Sequence, residues 1–246
     1  PYPTVRGQKT WEGTFIFLSV AFAATIAPLL LLSNVGRAEV LLISFLIGMI
    51  GCIIEATTWS GGDNLFIPRG TYFALMRFLE MSVSALALEL AVVISMTVIA
   101  VAWAPRTRLT AQANLAAVLV AFVLWAVGGL VWVAPALLAF LLHPLLTRLP
   151  SQTPDTVDPR AVFSVSSCSV IWMALNWFGL LSLRASLYPC VVGLVAHLCM
   201  ISSARRHEVD STNIPWQSHV LWAIVATAVV MSSYVVIFGI DSQVLV

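Results

Sequence analysis

Charge is the first thing this sequence has little of. Only 9% of its 246 residues are charged, against roughly 25% in an average soluble domain. A water-facing surface cannot be built from so few. Twelve basic residues stand against eleven acidic ones, which leaves no field for nucleic-acid phosphates. Disorder is excluded as well, because 60% of the residues are hydrophobic and disordered chains are polar. Lysine is nearly missing: Lys9 is the single one, and every other fixed cation is an arginine. Cysteine is scarce. Cys52, Cys168, Cys190 and Cys199 are widely spaced in apolar runs and pair with no histidine at metal-ligand spacing. They read as small packing residues, neither disulfides nor ligands. No methionine or signal-peptide pattern opens the chain at Pro1, and an N-terminal part is expected to be missing.

What is present is apolar sequence in long runs, with a mean hydropathy of +0.98. Runs near 14–33, 40–57, 83–104, 111–128, 130–147, 161–183, 186–204 and 215–239 match the roughly 17–25 residues a bilayer-crossing helix needs. The expected fold is all-α, a polytopic transmembrane helical bundle of about eight spans. The runs are continuous, not alternating with period two, which excludes a β-barrel. Only Gly128 and Gly129 separate the fourth run from the fifth. The stretch 70–82 either extends the third helix or lies flat in the interface. Trp11, Trp59, Trp103 and Trp216 stand near run ends, at headgroup level. Trp125, Trp132, Trp172 and Trp177 lie deeper and read as packing residues.

The segment 148–160 has three prolines and almost no apolar content, the composition of a linker. It divides the chain into a membrane domain, 1–147, and additional helices of unknown role, 161–246. With eight spans, Arg6, Lys9, Arg69, Arg77 and Arg184 share one side of the membrane. The remaining arginines fall on the other, a balance that sets no orientation.

With charge so scarce, each cluster needs a reason. The first is Lys9-Thr10-Trp11-Glu12-Gly13-Thr14. A lysine is a compact charge on a flexible stem and suits a phosphate oxygen. Thr10 and Thr14 add hydroxyls, and Gly13 permits close approach of a backbone or a phosphate. The plain alternative is a charged anchor at a helix start. The second cluster runs from Glu55 through Gly61-Gly62-Asp63-Asn64 to Pro68. Gly48, Gly51 and Glu55 follow at steps of three and four, so they share a helix face. Small residues there predict a packed neighbour, with Glu55 turned into the bundle, where an acidic residue is a functional candidate. The alternative is a carboxylate hydrogen-bonded to that neighbour. Asp63 and Asn64 offer oxygen ligands, or form an ordinary turn. Carboxylates near a lysine are what Mg²⁺-dependent phosphoryl transfer requires. One span out and one back bring Lys9, Glu12, Glu55, Asp63 and Asn64 to the same membrane face.

KTWEGT followed by E-A-…-GGDNLFIP resembles the phytol kinase and dolichol (polyprenol) kinase family, over roughly residues 5–147. The resemblance implies transfer of a phosphoryl group from a nucleoside triphosphate, CTP favoured, to a long-chain isoprenoid alcohol such as phytol or a polyprenol. It implies a nucleotide and metal site made of Lys9, Glu12, Glu55, Asp63 and Asn64, with Thr10 and Gly13 beside the nucleotide and Mg²⁺ on Asp63 and Glu55. It also implies a bacterial inner membrane or an organelle membrane. KTWEG is similar to a stretch of phosphatidate cytidylyltransferases too, but no lysine follows Lys9 here and no Pro-Gly-His run exists. The family's Gly-Asp motif upstream of KTWEGT is absent: either an N-terminal part that the active enzyme needs is missing, or the protein is a degenerate member of the family. A nucleotidyl transferase making a CDP-lipid, and a non-catalytic scaffold or transporter, are the alternative functions. Elsewhere, Arg77 and Glu80 are expected to pair, and Glu89 is a further candidate deeper in its span. Ser169 and Asn176 share a face and are expected to bond to a neighbouring helix, and His197 reads as structural.

Overall fold

Each of the eight apolar runs becomes a helix, and among the described residues a further helix, which takes in much of the stretch 70–82, lies between the second run and the third. A computed structural model of the chain describes residues 2–4, 7–9, 11–58, 62–107, 109–146, 157–209 and 216–238. Short strands β1 (Tyr2–Thr4) and β2 (Gly7–Lys9) pair antiparallel, with Tyr2 opposite Lys9. The helices are α1 (Trp11–Leu32), α2 (Arg37–Thr57), α3 (Asp63–Phe78), α4 (Val83–Trp103), α5 (Ala111–Gly128), α6 (Leu130–Leu146), α7 (Pro159–Trp177), α8 (Leu183–Val209) and α9 (Trp216–Phe238). Among the described residues, five stretches are long and apolar enough to cross a membrane: Glu12–Leu32, Arg37–Thr57, Val83–Arg106, Ala111–Gly128 and Leu183–Met200. Large apolar side chains lie bare on them, such as Phe15, Leu31 and Val98. Water does not tolerate so broad an apolar surface; the protein is an integral membrane protein.

The helices form two compact units, the first made of residues 1–105, 109–119 and 157–160, the second of 106–108, 120–156 and 161–246. The units part within α5, and most of the linker segment 148–160 lies outside the described residues.

In the first unit α2 is central, with Val40, Ile43, Leu46 and Ile50 all buried. α1 packs on it antiparallel: the Cys52 thiol reaches the Thr14 carbonyl at 3.5 Å. Gly48 and Gly51 make the approach possible, since a methyl at Gly48 would stand 3.1 Å from Leu18 Cδ1. The small-residue face therefore does meet a neighbouring helix.

α3 packs on α2 as well, with Gly70 beside Ile54 and Thr71 beside Gly51. It ends where i→i+3 bonds replace the α pattern, Glu80 N to Arg77 O and Met81 N to Phe78 O. Ser82 then starts α4 afresh by accepting a hydrogen bond from Ala85 N. So 70–82 neither extends the third span nor forms a separate surface helix. At its far end α4 is joined to α5 by a short turn, and the head of α5 lies against the C-terminus of α2 through a bond from Gln112 to Ala56. α4 is about 31 Å long, so its start lies at the opposite end of α2. α3 carries the chain from the carboxyl end of α2 back along it, and Arg77, in its last turn, stands away from Lys9's end instead of sharing it.

In the second unit α6, α8 and α9 pack together. Trp132 of α6 is buried, and Tyr188 of α8 meets Tyr234 of α9 edge to face at 5.7 Å. Two left-handed glycines cut the apolar sequence here. Gly129 at φ 72° separates α5 from α6, and Gly179 at φ 70° ends α7 six residues short of the expected limit at 183. An L side chain resists that conformation, so glycine is the natural break. Trp177, expected to pack, instead closes α7 and is exposed.

Candidate functional site

The candidate site is built around the carboxyl end of α2. A helix leaves its last carbonyls without partners, and here they are taken up in turn. The Thr57 hydroxyl donates to Ile53 O at 2.9 Å, the Thr58 hydroxyl to Ile54 O at 2.9 Å, and Gln112 Nε2 to Ala56 O at 2.9 Å. The threonines that follow Glu55 in sequence are thus spent on closing their own helix. Gln112, 4% exposed and 56 residues away, clamps the carbonyl next to Glu55.

Glu55 is half-buried in this last turn. A carboxylate at a helix C-terminus faces the negative end of the helix dipole, at a cost of about 0.3–1 kcal/mol. A cation at this end relieves that cost. Asp63 is the first residue of α3 and half-buried, and Asn64 beside it is exposed. Glu12 lies in the first turn of α1 and is exposed, as is Gly13. These two carboxylates occupy the positive ends of their helices, where they are favoured. Lys9 closes β2, two residues before α1 begins. Thr10 lies outside the described residues, as does Gly61.

The antiparallel packing of α1 and α3 on α2 sets Glu12, Glu55, Asp63 and Asn64 at one end of the first unit. Three carboxylates thereby come from three different helices. Among the described residues, no three His, Cys, Asp or Glu side chains converge as a closed metal cage. Mg²⁺ rarely needs one, because it is commonly held by one or two carboxylates plus substrate phosphates. Glu55 and Asp63 match that donor set in kind.

Two residues at this end escaped notice in the sequence, Gln112 and Asn114, both buried at the head of α5. Asn114 Nδ2 donates to the carbonyls of Leu109 and Thr110 at 3.4 and 3.3 Å. Two carbonyls demand the amide nitrogen on that side, so Oδ1 is the atom left over, buried and without a donor among the described residues. The signal was legible: two amides in the first turn of an otherwise apolar run.

The other polar candidates belong elsewhere. Arg77 pairs with Glu89, not with Glu80: Nη2 stands 2.7 Å from Oε1, and the Glu89 side chain is 5% exposed. The pair ties α3 to α4, and Glu80 is exposed. In the second unit Ser169 accepts from the Cys190 thiol of α8 at 3.3 Å, as its face predicted. Asn176 bonds instead to Leu181 O just past its own helix. His197 Nδ1 lies 3.2 Å from Gly193 O within α8. None of the four cysteines is in a disulfide.

Comparison of the chain with protein-family models, with characterised proteins and with solved structures gives no match.

Proposed function

We propose that the protein is an integral-membrane lipid kinase. It transfers the terminal phosphoryl group of a nucleoside triphosphate, CTP foremost, to the hydroxyl of a long-chain isoprenoid alcohol such as phytol or a polyprenol. The observation that carries this reading is the set of helix ends at one end of the first unit, bringing Glu12, Glu55 and Asp63 to the level of Lys9. About eight helices span the bilayer in this reading, with α3 running among them. The site then lies at the membrane surface, where a water-soluble nucleotide can meet the head of an alcohol whose tail stays in lipid.

The roles follow from charge. Lys9 holds a phosphate oxygen, helped by Thr10 and by Gly13, whose lack of a side chain permits close approach. Asp63 and Glu55 are the residues that would hold Mg²⁺, which neutralises phosphate charge when bound. Glu12 orients Lys9 or adds a carboxylate, and Asn64 offers an amide to phosphate or metal. A nucleotidyl transferase would release pyrophosphate; the kinase releases the nucleoside diphosphate.

The test is a transfer assay in liposomes with labelled CTP, UTP or ATP, Mg²⁺, and phytol, geranylgeraniol or polyprenols as acceptors. A phosphorylated alcohol and free nucleoside diphosphate are expected. Lys9→Ala and Asp63→Ala should each lower the rate by about 10²–10³-fold, the usual loss when one charge-stabilising group is removed. Full rates in both variants would move the protein to the scaffold or transporter class.

A further inference from the structure

α3 has two faces, and a single arginine stands in the middle of the outward one. Gly70 and Thr71 face α2. On the other side Leu65, Phe66, Tyr72, Phe73 and Met76 are all at least half exposed, between 50% and 64%. At 100° per residue these five fall within an arc of about 120°, and Arg69 lies at its centre. Arg69 is exposed, and no described residue forms an ion pair with it. Tyr72 and Phe73 set their rings edge to face at 5.6 Å, beside it in the same stripe.

An arginine in a lipid-facing stripe cannot leave its charge in hydrocarbon, so its stem runs toward the nearest headgroup level. In the kinase reading that level is the height of Asp63, which heads the same helix six residues earlier, about 9 Å along the axis. The Cα–Cβ bond of a helical residue tilts toward the N-terminus. The guanidinium can therefore reach the height of Asp63, at the end where Glu12 and Glu55 also stand. A guanidinium at headgroup height presents a planar fork that matches a phosphate.

We propose that the outward face of α3 is a binding site for a single-chain lipid phosphate monoester. Arg69 takes the phosphate, and the tail lies along Leu65, Tyr72, Phe73 and Met76. A face one helix wide covers one chain. A monoester carries more charge for the arginine than the diester of an ordinary phospholipid. The proposal deepens the kinase reading by naming where the phosphorylated lipid goes, and it rests on that reading for the identity of the ligand.

The experiment measures equilibrium binding of radiolabelled phytyl monophosphate to the protein in phosphatidylcholine nanodiscs, with no nucleotide present. Arg69→Gln is expected to weaken binding at least tenfold, with Arg69→Lys partly restoring it. Arg37→Gln, an exposed arginine at the opposite end of α2, should leave binding unchanged. Phytol should compete weakly and inorganic phosphate hardly at all. Equal binding in Arg69→Gln would overturn the proposal. So would full competition by inorganic phosphate, or equal competition by phosphatidic acid, which would mark a free-phosphate site or a general anionic contact. Asp63→Ala separates the two ideas, because it should remove transfer and keep binding. Arg69-dependent binding in a protein that never transfers phosphate would leave this site standing and sink the kinase.

Discussion

The α7–α8 interface of the second unit and the α2 end of the first both set polar groups among apolar helices, yet they handle them differently. Around Ser169 nearly every polar group finds a partner close by. Cys190 donates to Ser169, Ser186 to Ser182 O, and His197 Nδ1 lies against Gly193 O. Each bond stays within one helix or crosses a single contact between two. At the end of α2 the threonine hydroxyls behave likewise, but charge is added to them. Carboxylates from three helices stand at this end of the first unit, one of them in the last turn of α2, at the negative end of its helix dipole. An amide is brought from α5 to hold the backbone beside it, and Asn114 keeps a buried acceptor without a donor. The lesson is that a polar residue in an apolar helix marks a site only when its bonding capacity outlasts what nearby backbone absorbs.

The comparison can be broken by mutation. The largest effect on stability should come from Glu89→Ala, which strands the Arg77 guanidinium in the helix interface. Glu89 is buried but the Arg77 side chain is 38% exposed, so losing this charged hydrogen bond costs about 1.5–3 kcal/mol, readable as thermal unfolding in detergent. Replacing both partners by Met and Leu should recover most of it. Recovery of transfer along with stability would show that this pair is architecture and not site. Next is Gln112→Leu, which leaves Ala56 O buried without its donor, at about 1–3 kcal/mol. Its transfer rate should fall more than its stability explains, because the carbonyl it holds adjoins Glu55. A loss of stability alone would reduce Gln112 to a helix clamp.

In the second unit Gly193→Ala should cost about 1–3 kcal/mol by overpacking, since its new methyl meets Cys168 Sγ at 2.6 Å. Cys168→Ala should relieve it. The smallest effect is expected for Ser169→Ala, about 1 kcal/mol or less, with transfer unchanged. A large loss of transfer in that variant would erase the distinction between the units.

Much of this was legible beforehand. The apolar runs announced their helices because hydrocarbon admits only backbone that satisfies itself, and Gly129 marked its break through its lack of a side chain. Gly48, Gly51 and Glu55 disclosed a packed face by spacing alone. Three features were not legible. α3 carries Arg69, Arg77 and Pro68 within sixteen residues, too much polarity for a hydropathy reading to see it as a helix that packs along α2. The Arg77–Glu89 pair was hidden because Glu80 lies three residues away and offered a local partner. The amide of Gln112 stood out in its apolar run, but its partner did not, because the bond to Ala56 spans 56 residues and no local pattern encodes a contact at that distance.

By itself, then, the sequence determined the solvent and the elements. Sparse charge and long apolar runs admit only a membrane, and only helices within it, whatever the packing. It also determined which chemistry is on offer, since one lysine and a few carboxylates leave little choice. The tertiary structure decided at which end of the first unit these groups stand. The antiparallel packing of α1 and α3 on α2 brings Glu12, Glu55 and Asp63 to one end, and α3's course along α2 carries Arg77 away from them to Glu89. Those outcomes depend on helix direction and crossing, which follow from how faces fit one another and not from the content of any single run.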